Sequence, residues 1–252
     1  MAASFSEAGA GLRRAATGRT NIRKHCRKFI YHCENNMFFE TIKVLDGNIM
    51  NLDLHMARLT KTVQHFFPDC PPPVLSITVP PMFKNGLYRC RVTYSQKIER
   101  VEFIPYVRRQ ITTLALIEAP AISYGWKSCD RSELEALKKA SGHDEVIIVK
   151  NGAITDTSFS NLVFESDAGL FTPATFLLPG VQRSNLINSG IVRETTITVD
   201  DLYNYRRVFL INAMLDLEDA ISFTISTLQK TGNAHSPSLH TFSFLSDCPT
   251  QG

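Results

Sequence analysis

The chain predicts an α+β fold of two subdomains joined near residue 120. Strand-like and helix-like segments mix without the strict strand–helix–strand alternation of a parallel sheet. Two hairpin turns, Asp46-Gly47-Asn48 and Asn151-Gly152, stand one in each half. Between the halves, residues 119–126 (Ala-Pro-Ala-Ile-Ser-Tyr-Gly-Trp) have the composition of a linker.

The elements follow in order. Phe38–Leu45 reads as a strand that turns through Asp46-Gly47-Asn48 into Ile49–Leu52. Asp53 is expected to cap a helix whose apolar stripe is Leu52, Met56, Leu59, Val63 and Phe66, at alternating steps of four and three. Pro68 ends it, and Pro71-Pro72-Pro73 follows as a rigid connector. Leu87–Ser95, Arg100–Pro105 and Thr112–Glu118 read as strands. In the second half, Asp130-Arg131-Ser132-Glu133 has capping-box form before a helix over Glu133–Ala140. Glu145–Lys150 and Ala153–Asp156 flank the second hairpin turn. Strands are expected near Asn161–Glu165 and Leu170–Thr172, then a short helix at Gln182–Asn188, opened by Pro179-Gly180 and ended by Gly190. Val208–Asn212 reads as a last buried strand.

At 252 residues, 44% hydrophobic and 20% charged, the chain can bury a substantial core in one large or two small domains. No run of 18 or more apolar residues occurs, which predicts no membrane span. Of the 27 Lys/Arg and 24 Asp/Glu, residues 1–36 hold seven and two, leaving 20 basic and 22 acidic beyond them. That near-neutral body gives nucleic-acid binding little electrostatic support. Residues 1–36 read as a basic, disordered leader of transit-peptide-like composition, and 229–252, without periodicity, as a disordered tail. The globular unit is then 37–228, divided into 37–119 and 120–228. Cys26, Cys33, Cys70, Cys90, Cys129 and Cys248 are scattered and follow no hydrophobic signal segment, so they read as reduced thiols of a cytoplasmic protein, or a mitochondrial one if the leader is a genuine transit peptide. His25-Cys26 and His32-Cys33 fit no zinc spacing, and no metal site is assigned.

Five blocks, in order, resemble one family. They are Phe39-Glu40-Thr41-Ile42 with Asp46-Gly47 and His55-Met56-Ala57-Arg58-Leu59; Lys127 with Asp130-Arg131; Thr155-Asp156-Thr157-Ser158-Phe159-Ser160-Asn161-Leu162; Leu170-Phe171-Thr172-Pro173; and Leu178-Pro179-Gly180-Val181-Gln182-Arg183. Together they resemble the class IV aminotransferases, pyridoxal phosphate enzymes that include branched-chain and D-amino acid aminotransferases and aminodeoxychorismate lyase. The resemblance covers about 38–215 and implies the D-amino acid aminotransferase-like fold. Its two α/β subdomains would hold pyridoxal 5'-phosphate at their interface, in a homodimer.

The resemblance implies a role for each matching residue. Lys127 would carry the cofactor as a Schiff base and then act as the catalytic base. Its amine must be neutral to attack, and the helix N-terminus expected just beyond it disfavours an ammonium. Taken alone, Lys127 would read as a solvated surface lysine; its place among the blocks reverses that. Arg58 would grip the cofactor phosphate, since a guanidinium offers paired donors to a dianion. The backbone N–H groups of Val181 and Gln182, at a helix start, would make the second phosphate contact. Asp156 stands where the family has a glutamate that pairs with the ring nitrogen and keeps it protonated. The side chain is one methylene shorter, so either its strand sits closer to the ring or water bridges the gap. Val163 in place of an aromatic residue and a one-residue-shorter Thr172-to-Leu178 spacing also depart from the pattern.

The substrate is expected to be a small amino-bearing molecule. Ile211-Asn212-Ala213-Met214 is more similar to the lyase's asparagine–alanine segment than to the Ser/Thr-Gly-Thr run of the aminotransferases, and it places Asn212 among the cofactor contacts. The short unit leaves little chain for specificity loops. The implied activity is therefore that of a 4-amino-4-deoxychorismate lyase of the folate pathway, releasing pyruvate to give 4-aminobenzoate. The alternatives are an aminotransferase for branched-chain or D-amino acids, and a non-catalytic relative. Arg89 and Arg91, alternating on one strand, are candidates for a substrate carboxylate, although solvent-facing strand charges would show the same pattern. Thr41 is a further candidate for the catalytic site.

Overall fold

The structure, a computed structural model, describes residues 36–225, 229–231 and 241–243. The basic leader, Asn36 apart, and most of the expected tail lie outside the described residues.

The fold is α+β. β1 (Phe38–Leu45) returns through Asp46 and Gly47, both at positive φ as a tight hairpin requires, into β2 (Asn48–Ile49). β3 (Leu87–Tyr94) and β4 (Ile98–Pro105) complete a four-stranded antiparallel sheet of order β2-β1-β3-β4. α1 (Leu52–Phe66) lies against it: Leu52 and Met56 of the apolar stripe pack with Ile42, Val44, Cys90 and Val92. Asp53 is in the first turn of α1. The N-cap is Asn51, held at φ 52, a left-handed conformation that asparagine tolerates.

β5 (Leu114–Glu118), β6 (Glu145–Lys150) and β7 (Ala153–Thr157) form a three-stranded sheet. β5 runs parallel to β6, and the connection between them carries α2 (Ser132–Ser141). The cap of α2 differs from the expected box. Asp130, just ahead of the helix, accepts the N–H and hydroxyl of Ser132 through one oxygen. β8 (Asn161–Ser166), β9 (Gly169–Pro173), β10 (Arg193–Thr195), β11 (Arg207–Ile211) and β12 (Ile221–Thr224) form a five-stranded sheet of order β10-β9-β8-β11-β12. Between β9 and β10 lies α3 (Val181–Asn188). Leu114, Leu116, Ile147, Val149, Leu162, Phe164, Val208 and Leu210 join these two sheets in one core. In the tail, β13 (Gln229–Thr231) pairs antiparallel with β14 (Thr241–Ser243).

The period of two on β1 sorts its side chains by task. Glu40, Ile42 and Val44 share the face that meets α1. Phe39, Thr41 and Lys43 share the other. Thr41 stands opposite Arg91 and Lys43 opposite Arg89 in the β1–β3 register, so both arginines project from that second face. Phe39 is tied to the middle of the chain by its N–H, which donates to the Lys127 carbonyl at 3.0 Å.

Candidate active site

A cavity of about 200 Å³ opens on this second face. Lys127, Thr41, Arg58, Asp156, Val181, Asn212, Arg89 and Arg91 all line it, so Thr41 and Asn212, 171 positions apart in sequence, converge there. Gln182 is the exception. It is buried in the first turn of α3 but does not line the cavity, and its Oε1 has no hydrogen-bond partner among the described residues. Its expected contact is through the backbone, where the first N–H groups of a helix have no intrahelical acceptor.

Lys127 holds its amine 4.8 Å from the centre of the Phe39 ring. Burial, reinforced by the charge of Arg58, lowers its pKa from 10.5 to about 7, against the opposing pull of Glu40. An amine so placed is substantially neutral near pH 7 and can take a proton or attack a carbonyl.

Arg58 is fixed from below. Its Nε donates to Glu40 Oε1 at 2.9 Å, and a second nitrogen donates to Glu40 Oε2. His55, one turn earlier on α1, meets the same Oε2 through Nδ1 at 2.7 Å. Glu40 is fully buried. Burial alone would raise its pKa, but Arg58 and His55 outweigh that and hold it at about 2. Nη1 of Arg58 donates to the Pro179 carbonyl at 3.1 Å, just before Gly180 and α3. The side of the fork nearest the chain is thus spent on Glu40. Among the described residues this leaves two of the five guanidinium N–H groups for an anion near the start of α3.

Gly180 is required there by space. A Cβ on it would lie 1.7 Å from Asn161 Oδ1. Asn161 in turn donates through Nδ2 to Asp156 Oδ1 at 2.8 Å and to the Leu178 carbonyl at 3.0 Å. Asp156 Oδ2 accepts the N–H groups of Leu177 and Leu178 at 3.0 and 2.9 Å. Burial pushes the Asp156 carboxyl up to about 6, although these three donors pull the other way. Oδ1, with one donor among the described residues, keeps a lone pair for a further donor.

Glu40 was not assigned a role from sequence. Its only signal was a carboxylate on the helix-facing side of an apolar strand, with a basic pair three residues apart on the next helix. Arg109, Tyr106, Tyr124 and Arg131 also line the cavity without having been foreseen. Arg131 donates to the Ser158 carbonyl at 2.6 Å and so braces the 157–160 loop.

Residues 93–218 match the family described as amino-transferase class IV. An uncharacterised protein of Haemophilus influenzae is 33% identical over 181 residues, which are 70% of this chain and 96% of its own. The chain belongs to the class IV aminotransferase family. Members of that family are pyridoxal-phosphate-dependent aminotransferases and lyases. A crystal structure from Haemophilus somnus 129pt, provisionally named a 4-amino-4-deoxychorismate lyase, superposes on this class IV protein with a TM-score of 0.63 at 29% identity, over 73% of this chain and 98% of that one. The branched-chain amino acid aminotransferase of Escherichia coli (TM-score 0.54, 19% identity, 75% of this chain and 76% of that one) shares the fold. No helix among the described residues of this class IV protein is long and apolar enough to cross a membrane.

Proposed function

We propose that the protein is a pyridoxal-phosphate-dependent lyase acting on 4-amino-4-deoxychorismate or a close analogue. The observation that carries the reading is the lowered amine of Lys127, facing one cavity with Arg58, the start of α3 and the Asn212–Met214 segment. The residues fit the cofactor. Arg58, with the N–H groups of Val181 and Gln182, would hold its phosphate, Asp156 its ring nitrogen, and Lys127 its aldehyde carbon. When bound, pyridoxal phosphate supplies an electron sink for a carbanion at the amine-bearing carbon.

With the cofactor held there, Lys127 Nζ would remove the proton from that carbon. In the lyase outcome the bond from the neighbouring carbon to the enolpyruvyl oxygen breaks. Pyruvate leaves and the ring becomes aromatic as 4-aminobenzoate. In an aminotransferase Lys127 would instead deliver the proton to the cofactor carbon. Asn212 favours the lyase. Its Oδ1 accepts the Met214 N–H at 2.8 Å and its backbone pairs with Leu215, which holds the segment as a tight turn against the cavity. The structural likeness to a protein provisionally named as that lyase supports the same outcome.

Incubation with 4-amino-4-deoxychorismate tests the reading. Equimolar pyruvate and 4-aminobenzoate, lost in Lys127→Ala, is the expected result. Turnover of branched-chain or D-amino acids with 2-oxoglutarate, and none of the lyase substrate, would replace it with the aminotransferase reading. The assembly expected is a homodimer, which light scattering of the holoenzyme would measure.

A further inference from the structure

The chain reverses tightly at Lys127. The Ser128 N–H donates to the Trp126 carbonyl at 2.8 Å, a three-residue turn with Lys127 at its apex. Residues 119–126, which lead into that turn, form no helix or strand, so no regular backbone ladder fixes where the lysine stands.

Both legs of the turn meet one aromatic cluster. In the leading leg, Trp126, the only tryptophan of the chain, stacks on His65 with ring centres 4.5 Å apart and planes at 19°. It also meets Phe66 edge-on at 5.3 Å. In the trailing leg, Ser128 bridges to Phe38 of β1, whose ring lies 4.7 Å from the same Phe66. That leg has backbone support as well: the Phe39 N–H donates to the Lys127 carbonyl, and the Cys129 N–H to the Met37 carbonyl at 2.8 Å. His65 lies in the last turn of α1, seven residues after Arg58 and roughly 10 Å farther along the axis. One rigid helix therefore carries both the guanidinium that lines the cavity and the aromatic seat of Trp126.

We propose that Trp126, seated on His65 and Phe66, is a positioning residue that holds Lys127 in the pose in which its amine meets the cofactor aldehyde. Trp126 does not line the cavity, so it acts through the backbone of its neighbour. Lys127 Nζ forms a double bond to the aldehyde carbon, and the two protons it gives up leave with the aldehyde oxygen as water. An anchored turn presents the amine without first having to be ordered, which favours that bond. The inference rests on the proposed function in taking Lys127 as the point of attachment.

Pyridoxal phosphate and pyridoxine phosphate test it. The second carries a hydroxymethyl group in place of the aldehyde and forms no bond to an amine. Equilibrium dialysis of each against the whole chain, freed of cofactor, separates attachment from simple binding. The wild-type chain should prefer pyridoxal phosphate. Trp126→Ala should lower that preference by about tenfold, the contribution of two aromatic contacts, and leave pyridoxine phosphate binding unchanged. His65→Ala, at an exposed position, removes the stacked contact alone and should lower the preference by about threefold. Trp126→Phe, which can still stack, should restore most of it. A preference undiminished in both alanine variants, or a loss shared equally by the two ligands, would overturn the positioning role. A wild-type chain with no preference, and no adduct on Lys127 after borohydride, would instead refute attachment at Lys127, and the proposed function would fall together with this inference.

Discussion

Replacing Lys127 with methionine should stabilise the cofactor-free protein, and by an amount that depends on pH. The fold lowers the amine from 10.5 to about 7, so the folded state holds the proton less tightly than the unfolded chain does. The resulting cost is fully present below pH 7, shrinks as pH rises, and is gone above 10.5. At about 1.36 kcal/mol per pH step, the drop corresponds to roughly 5 kcal/mol at most. Lys127 is half-buried, and screening by solvent reduces this to about 2–3 kcal/mol. Methionine keeps the length and the contact with the Phe39 ring but removes the charge. Urea unfolding of both cofactor-free proteins at pH 6 and pH 10 reads the difference. Lys127→Met should be the more stable by about 2–3 kcal/mol at pH 6, with most of that advantage gone at pH 10. An equal advantage at both values, or none at pH 6, would refute the reasoning that burial keeps this amine neutral.

Two other replacements probe the frame around the cavity. Arg58→Ala should weaken cofactor retention and also strand the buried Glu40 carboxylate, costing about 3 kcal/mol and roughly 6–12 °C in thermal unfolding. Adding Glu40→Gln should recover much of the stability and none of the cofactor binding. Because Glu40 is held at about 2, its contribution is present above pH 4.5 and lost as pH falls toward 2, an acid-dependent loss that Glu40→Gln alone should lack. Gly180→Ala should cost about 2–3 kcal/mol, since its Cβ would meet Asn161 Oδ1 at 1.7 Å. Part of that loss should return with Asn161→Ala, as thermal denaturation would show.

The elements with strong local signals were legible in the sequence. The stripe on α1 and the hairpin turns at Asp46-Gly47 and Asn151-Gly152 carry their own periodicity and turn chemistry. β10 and β12 were not foreseen. The first is three residues whose only strand partner among the described residues is β9, and the second four residues that pair with β11, so tertiary pairing rather than pattern defines them. The same division holds at the site. Lys127, Arg58 and Asp156 lay in ordered blocks, and all three line the cavity. Glu40 acquires its meaning only when α1 folds back and brings His55 and Arg58, 15 and 18 residues later, onto it. Arg109 follows the end of β4 in an irregular segment without periodicity, and only the folded chain brings it to the cavity that Arg89 also lines.

The central claim is that Lys127 carries the cofactor in this cavity. Its most direct test is the absorption spectrum of the purified protein before and after borohydride, followed by mass mapping of the reduced chain. A visible band that borohydride removes, with a phosphopyridoxyl group on Lys127, is the predicted result. A protein that shows no band after added pyridoxal phosphate, or that carries the group on a different lysine, would contradict it.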